Sequence, residues 1–196
     1  DLILFYAIAD VSWFVEDGDA VDVEAWKRGE TVYLPDGKAG LYPPVLSERA
    51  ASLLPDGPRA AVIFTVRLAP DGMATLEGAE RALIQSRAKL AYDRVVDTDL
   101  PPAFTDFAAR MDIAEAARGA VRVDPPEQEV EALGEGRYAL AFQPLLASER
   151  HNAALSLSAN LAIAAALQQA GTGLFRVMAG PSAKALSRLH STAAGL

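Results

Sequence analysis

The sequence of 196 residues has no cysteine, only two histidines and no long apolar run. Without cysteine there are no disulfides and no thiol catalysis, and this composition is typical of a reducing compartment, so we expect a cytoplasmic protein. The histidines, His151 and His190, are too far apart for a helical zinc pair, and neither belongs to an H-E-x-x-H motif. The longest apolar runs, residues 2–9 and 161–167, are far shorter than the roughly 20 residues that cross a bilayer, so no membrane span is predicted.

Positive charge is also scarce. Eighteen Lys and Arg against 26 Asp and Glu give a formal net charge of −8. The field of the whole chain therefore repels phosphate, and bulk charge does not predict nonspecific binding to nucleic acid, although local basic sites stay open. Hydrophobic residues make up 51% of the chain and charged residues 22%. These fractions exclude a disordered tail, a collagen-like fibre and a coiled coil, and they predict a conventional core.

Common catalytic and metal-binding motifs are missing. The chain has neither a G-x-S-x-G elbow nor a phosphate-binding G-x-x-x-x-G-K-[ST] loop, and the glycine pair at residues 171–173 is typical of the end of a helix. Asp17, Asp19, Asp22 and Glu24 form an acidic cluster, but their spacing does not match a calcium loop. Acidic residues at a helix N-terminus are favoured by the helix dipole, and this explanation is preferred here.

The hydrophobic pattern predicts an α+β fold, most simply as one domain. A buried strand is predicted at residues 2–9, and a hairpin joins strands at 60–69 and 73–85 through a Pro-Asp-Gly turn. Further short strands are predicted at residues 31–34, 120–123, 129–133, 137–144 and 174–178. Helices are predicted within residues 16–28 and over 43–54, 104–118, 148–170 and 181–193.

Two sets of residues are candidates for contacts with nucleic acid. Tyr33 is either a platform on which a base stacks or a residue packed in the core, and the sequence pattern leaves both alternatives open. Arg87 and Lys89, with Arg94 nearby, form a small basic patch at the end of a predicted strand. That patch either contacts phosphate or is an ordinary solvated strand end.

Several blocks of sequence also occur in a recognisable order. Residues 7–15 have the sequence A-I-A-D-V-S-W-F-V, and T-V-Y-L-P follows from Thr31. Downstream are S-R-A-K-L-A-Y from Ser86, R-G-A from Arg118, S-A-N from Ser158 and L-F-R-V from Leu174. In this order the blocks resemble the RNB catalytic domain of the ribonuclease II and ribonuclease R family.

The resemblance implies that residues 1–196 are the central part of an RNB domain from a longer chain, with a mixed, largely antiparallel sheet and helices packed on it. It implies a processive, magnesium-dependent exoribonuclease that degrades single-stranded RNA from 3′ to 5′ into nucleoside monophosphates, with flanking OB-type RNA-binding domains. Tyr33 would stack on the base at the RNA 3′ end, and Arg87, Lys89 and Arg176 would contact the backbone. Asp10 would support the site as a structural carboxylate and would not bind metal.

The sequence also departs from the family pattern. The aspartate cluster D-x-x-x-x-x-D-x-D-D, which binds the metal in this family, precedes the I-A-D-V-S block, and the S-P-I-R-R-Y segment follows the region matched here. Both are expected outside residues 1–196, so no catalytic or metal-binding residue is assigned. Asn152, Ala153 and Ala154 stand where the family pattern places one or two glutamates before the A-N pair. The alternative function is therefore a non-catalytic RNB-like scaffold that binds RNA or a protein partner.

Overall fold

A computed structural model of the chain describes residues 1–34, 37–120, 127–175 and 180–194. The chain divides into two compact units, Asp1–Ile163 and Ala164–Leu196. Its strands and helices are, in chain order, β1 (Leu2–Ala9), α1 (Ala20–Arg28), β2 (Val32–Leu34), β3 (Gly37–Ala39), β4 (Arg59–Leu68), β5 (Ala74–Ile84), α2 (Phe104–Ala117), β6 (Glu127–Gly134), β7 (Arg137–Gln143), α3 (Ala147–Gln169) and α4 (Ala183–Ala193).

The main sheet of the first unit has three antiparallel strands in the order β1-β4-β5. The predicted hairpin of β4 and β5 is confirmed. Its turn closes through Gly72, whose φ of 80° lies in the left-handed region that favours glycine. The Asp71 carboxylate accepts a hydrogen bond from the Met73 N–H at 3.0 Å and stabilises the same turn.

One face of this sheet is covered by α2 and by the part of α3 in the first unit. Side chains alternate along β1, so Leu2, Leu4 and Tyr6 point to the helices while Phe5 on the other face is exposed. Small residues on α3 let the helix approach the sheet closely. The buried residues of the two core clusters are Leu68, Phe107, Ala108, Met111 and Ala154 in one, and Val66, Ala159 and Ala162 in the other. This arrangement confirms the predicted α+β class.

The acidic cluster begins α1, as predicted. The Asp19 carboxylate accepts hydrogen bonds from the N–H groups of Val21 at 2.7 Å and Asp22 at 2.8 Å. Backbone N–H donors, that of Asp22 first, lower the pKa of Asp19. Gly29, at φ 74°, ends the helix. Three of these acidic residues therefore lie at or near the helix start, and Asp19 is its N-cap.

Three other predicted regions are confirmed only in part or lie largely outside the described residues. The helix predicted over residues 43–54 is confirmed only in part: a short helix covers residues 44–50, and its Leu46–Ala50 part is a π-helix closed by the Ala51 N–H on the Leu46 carbonyl at 2.9 Å. Prolines at 43, 44 and 55 bound this segment on both sides, and proline cannot supply a hydrogen bond from its backbone nitrogen inside a helix. The strand predicted at 120–123 lies almost entirely outside the described residues. Of 174–178, only Leu174 and Phe175 are described, and neither is in a strand.

The remaining elements follow the predictions closely. β6 and β7 form an antiparallel hairpin that turns at Glu135, where φ is 52°. In the second unit, α3 ends at Gly171, with φ 64°, and α4 begins after Ser182, whose hydroxyl accepts a hydrogen bond from the Ala185 N–H at 3.2 Å. Across the described part of the chain, no helix has the length and apolar character to span a membrane.

Candidate functional site

Tyr33 lies on a two-stranded ribbon formed by β2 and β3. Three cross-strand pairs define the ribbon, and Tyr33 is directly opposite Lys38. The Tyr33 side chain is 80% exposed, and the residues on either side of it, Val32 and Leu34, are exposed as well. Tyr33 is therefore not part of the core, and one face of its ring is open to a planar ligand.

The ribbon is fixed in place by side-chain contacts near its base and along β3. The Thr31 hydroxyl accepts a hydrogen bond from the Leu41 N–H at 3.1 Å, and Arg28 donates to the Gly40 carbonyl at 2.9 Å. Lys38 forms an ion pair of 2.9 Å with Glu48. The hydrogen bond to Glu48 and then its charge raise the pKa of Lys38, and the Tyr33 side chain adds a smaller electrostatic contribution. Tyr33 and Lys38 therefore form one polar, accessible face of the ribbon.

Asp10 lies at the end of β1, where it is the centre of a second cluster. Its side chain is only 3% exposed and accepts hydrogen bonds from Ser12 at 2.7 Å and from Arg81 Nε at 2.6 Å. The same two hydrogen bonds, that of Ser12 first, lower the pKa of Asp10. The Arg81 guanidinium also lies 5.5 Å from the ring centroid of Trp13. The Asp10 carboxylate is thus ionised, and each of its two oxygens accepts a side-chain hydrogen bond.

Sequence reasoning did not identify Arg81 as the partner of Asp10. The two residues are 71 positions apart, and only the register of β1, β4 and β5 brings them together. No local motif signals such a pair, although the position of Asp10 directly after a buried strand indicated that its charge would need a partner.

The described residues do not fit a magnesium site. A hard divalent cation requires several oxygen ligands that converge on one point. Within the described ranges, no group of three or more His, Asp or Glu side chains is arranged to bind a metal. Asp10, which is buried, is already neutralised by a guanidinium.

Arg87 and Lys89 lie in the segment that follows β5, and both are exposed. Neither forms an ion pair with any residue that the structure describes. The segment is held at both ends: Ser86 donates to the Leu53 carbonyl at 2.7 Å, and the Tyr92 hydroxyl accepts a hydrogen bond from Asn152 at 2.9 Å. Both cations are therefore available to a ligand on a segment whose ends are fixed.

Direct contacts do not link those predicted residues that the structure describes. In the described part of the chain, no hydrogen bond or ion pair joins Tyr33 to Asp10, Arg87 or Lys89. Arg176 lies outside the described residues.

Ala153 and Ala154, in the stretch where the resemblance places glutamate, lie in different environments. Ala154 is 2% exposed and packs in the core cluster that contains Leu68 and Met111. Ala153, one position earlier on α3, is exposed. Position 153 is accessible to solvent and position 154 is not, so an acidic side chain would be tolerated at 153 and not at 154.

Comparison with known proteins places these observations in a family. Residues 1–100 match the model of the RNB domain. Ribonuclease R of Aquifex aeolicus is 31% identical over 98% of this chain and 30% of that protein, and the "Inactive exonuclease DIS3L2" of Arabidopsis thaliana is 40% identical over 46% of this chain and 8% of that protein.

A solved structure of Mycoplasma genitalium RNase R, in complex with ribose methylated single-stranded RNA, has the same fold. The two superpose with a TM-score of 0.87 at 24% identity, over 99% of this chain and 33% of the other. The chain thus spans about a third of the length of such relatives.

Proposed function

Because the chain belongs to the RNB-domain family, we propose that it acts in RNA degradation as part of the catalytic domain of an exoribonuclease. Its substrate is single-stranded RNA, which is shortened processively from the 3′ end with release of nucleoside monophosphates. Residues 1–196 form the central part of that domain. The absence of cysteine supports a cytoplasmic location, and OB-type domains elsewhere in the protein complete the RNA-binding surface.

The exposure of Tyr33 is the observation that most supports RNA as the ligand. A tyrosine with 80% of its surface in water, on a ribbon held by polar contacts, contributes little burial energy to the fold. Stacking of a base on an aromatic ring contributes about 1–3 kcal/mol and is insensitive to sequence. Tyr33 therefore stacks on the base at the 3′ end and orients the adjoining phosphate for cleavage.

The exposed cations after β5 suit contacts with the RNA backbone. Arg87 and Lys89 have no ion-pair partner among the described residues, so their charges are free to neutralise phosphate and release counterions. Arg176 is assigned the same role on the family resemblance alone. Asp10 has a supporting role: it fixes Arg81 and, through it, the turn that follows β1.

Magnesium is included in the proposal because of the family resemblance. The described residues do not themselves indicate a magnesium site. In two-metal hydrolysis, magnesium activates the attacking water and stabilises the leaving oxygen. The described residues do not fit such a site, so no step is derived through the metal, and its ligands are assigned to other residues of the protein.

A non-catalytic scaffold is the second candidate function. The environment of Ala154 favours it, because a position in the stretch where the resemblance places glutamate is here part of the packed core. A match to a protein named as an inactive exonuclease shows that similarity over part of this chain does not require activity. In this alternative the chain binds RNA through the same Tyr33 ribbon and does not cleave it.

One experiment separates the two candidates. The full natural chain is incubated with a 5′-labelled single-stranded RNA, with and without magnesium, and both RNA length and RNA binding are measured. Magnesium-dependent shortening with retention of the 5′ label is the result expected for the exoribonuclease. Binding without shortening would establish the scaffold, and absence of both would refute RNA as the ligand.

The substitution Tyr33→Ala tests the residue on which the proposal depends. Loss of one stacking contact should weaken binding to single-stranded RNA about 5- to 150-fold. Tyr138→Ala is the matched control, because Tyr138 is another exposed tyrosine on a strand, at 54% exposure. Equal affinities for the two variants would show that Tyr33 is not a stacking platform.

A further inference from the structure

A cavity of about 420 Å³ opens beside the turn that follows β1. Four large apolar side chains that line it are each 42–67% exposed, namely Trp13, Phe14, Val45 and Leu83. Single exposed apolar residues are ordinary on a protein surface. These four share one cavity, so they form a contiguous apolar patch, and such patches mark interaction sites. We call the four residues the Trp13 patch.

The Trp13 patch is assembled from three parts of the first unit. The turn after β1 supplies its two aromatic members, the short helix at 44–50 supplies Val45, and β5 supplies Leu83. The main sheet fixes two of these parts together. The Asp10 N–H donates to the Ala60 carbonyl at 3.0 Å, and Ala60 is the cross-strand partner of Leu83. The turn after β1 is therefore tied to the strand pair that carries Leu83.

Trp13 is held in place although 58% of its surface is exposed. The Arg81 guanidinium lies 5.5 Å from the centroid of its ring. Arg81 is itself fixed, because its Nε donates to the buried Asp10 carboxylate at 2.6 Å. A side chain that is already ordered loses little conformational freedom when a partner binds. Tryptophan is also among the residue types that contribute most of the binding energy at protein interfaces.

The charge at the cavity is positive. The ionisable residues that line it, within the described part of the chain, are Arg49 and Arg59. Arg59 is already neutralised by Asp56 at 2.6 Å. Arg49 is exposed and forms no ion pair with any residue that the structure describes. In a chain with a formal net charge of −8, this free cation beside an apolar cavity is complementary to an acidic partner.

A peptide suits this surface better than RNA does. Single-stranded RNA has a phosphate at every nucleotide, and proteins bind it with grooves that combine several cations with aromatic rings. The Trp13 patch instead offers one free guanidinium among aliphatic and aromatic side chains. Its cavity volume is within the range of ligand sites, about 300–1,000 Å³. One apolar side chain can enter this space while a neighbouring carboxylate binds Arg49.

We propose that the Trp13 patch binds a peptide segment of a protein partner. The segment places an aromatic or aliphatic side chain in the cavity and an adjacent aspartate or glutamate on Arg49. Trp13 is the main contact, and the Asp10–Arg81 pair holds its ring in the orientation that binds. The inference goes beyond the proposed function and does not depend on RNA binding.

The test first selects peptides from a random library displayed on phage, with the full natural chain as the target. The Trp13→Ala variant serves for counter-selection, so that only peptides that need Trp13 are enriched. Enriched peptides should combine an aromatic or aliphatic residue with an adjacent acidic residue. The most enriched peptide is then synthesised with a fluorescent label, and its affinity for each variant is measured by polarisation. Thermal unfolding checks that each variant keeps its fold.

Trp13→Ala should weaken binding of this peptide at least about 30-fold, as expected for loss of the main contact of an interface. Trp26→Ala is the matched control, because Trp26 is an exposed tryptophan on α1 that does not line the cavity. It should bind the peptide like the wild type.

Arg49→Gln should weaken binding about two- to five-fold near 0.1 M salt and less at high salt, because water and ions screen an exposed ion pair. Arg49→Lys keeps the charge and should restore most of the affinity. Arg150→Gln is the matched control, since Arg150 is an exposed arginine on α3 that does not line the cavity. Its affinity for the peptide should not change.

Several outcomes would overturn the proposal. If no peptide is enriched, or if Trp13→Ala binds the selected peptide like Trp26→Ala, the patch is not a peptide site. If Arg49→Gln behaves like Arg150→Gln, or if amides in place of the peptide's acids leave affinity unchanged, an acidic partner is wrong. If Trp13→Ala weakens binding of single-stranded RNA as much as Tyr33→Ala, the patch binds RNA instead. Self-association of the wild type that is lost in Trp13→Ala would make a second copy the occupant.

Discussion

The substitution Gly72→Ala should destabilise the protein far more than an equivalent change at another left-handed glycine. Gly72 has φ 80°, and a Cβ added there would lie 2.2 Å from the Arg110 carbonyl oxygen and 2.6 Å from the Ala114 Cβ. Both atoms belong to α2, which is fixed by buried residues such as Met111. The carbonyl is backbone and cannot move aside as the end of a flexible side chain would.

Gly18 provides the matched control for this change. Its φ of 79° is nearly the same, but an added Cβ would meet nothing within 4 Å. The left-handed conformation costs an alanine about 1–2 kcal/mol at either position, and overpacking adds about 1–3 kcal/mol at Gly72 only. We therefore expect Gly18→Ala to cost about 1–2 kcal/mol and Gly72→Ala about 2–5 kcal/mol.

Urea unfolding followed by circular dichroism measures both variants against the wild type. The difference between the two variants is the informative quantity, because the effect of alanine on the unfolded chain is the same at both positions and cancels. Equal losses of stability would mean that the turn between β4 and β5 does not press against α2, and the packing described for this part of the fold would be refuted.

Four further variants test the Asp10 cluster and the core. The folded pKa of Asp10 is lowered, so the ionised carboxylate stabilises the protein fully above its ordinary pKa of 3.8, and this stabilisation is lost as the pH falls through the folded pKa. Asp10→Asn removes this titration. In a measurement of unfolding free energy against pH, the variant should therefore lose less stability at acid pH than the wild type. Arg81→Ala leaves the Asp10 carboxylate buried without its cation and should destabilise the wild type more than it destabilises Asp10→Asn, as a double-mutant cycle in urea would show. Ala154→Glu buries a charge in the core and should lower the free energy of unfolding by about 3–5 kcal/mol. Ala153→Glu, on the exposed side of α3, should change it by no more than about 0.5 kcal/mol. Similar losses for both variants would contradict the orientation of α3.

The elements that sequence predicts well are those with a strong local signal. The hairpin of β4 and β5 follows from alternation on both sides of a Pro-Asp-Gly turn, and α1 follows from acidic residues at its start and Gly29 at its end. β3 has no such signal, since Gly37, Lys38 and Ala39 show no strand pattern. It forms only because it pairs with β2.

Part of the candidate site could be predicted from the sequence, because residue type alone is a local signal. Aromatic and basic residue types marked Tyr33, Arg87 and Lys89, and their exposure in the structure agrees with roles that stay predictions until RNA binding is measured. The partners of these residues depend on tertiary structure. The Lys38–Glu48 ion pair joins β3 to the short helix that follows it, and no periodicity in the sequence indicates this contact.

The pairing of β1 with β4 has a consequence for how the chain folds during synthesis. All eight residues of β1 are uncharged, and the nearest partner of Ala9 is Ala61, about 50 residues later in the chain. At roughly 5–20 residues per second, the ribosome makes that stretch in roughly 3 to 10 seconds, and β1 has no partner strand meanwhile. An unpaired apolar strand of this length is prone to pair with other chains. The yield of folded protein therefore depends on the speed of synthesis through residues 10–60, independently of how stable the finished sheet is.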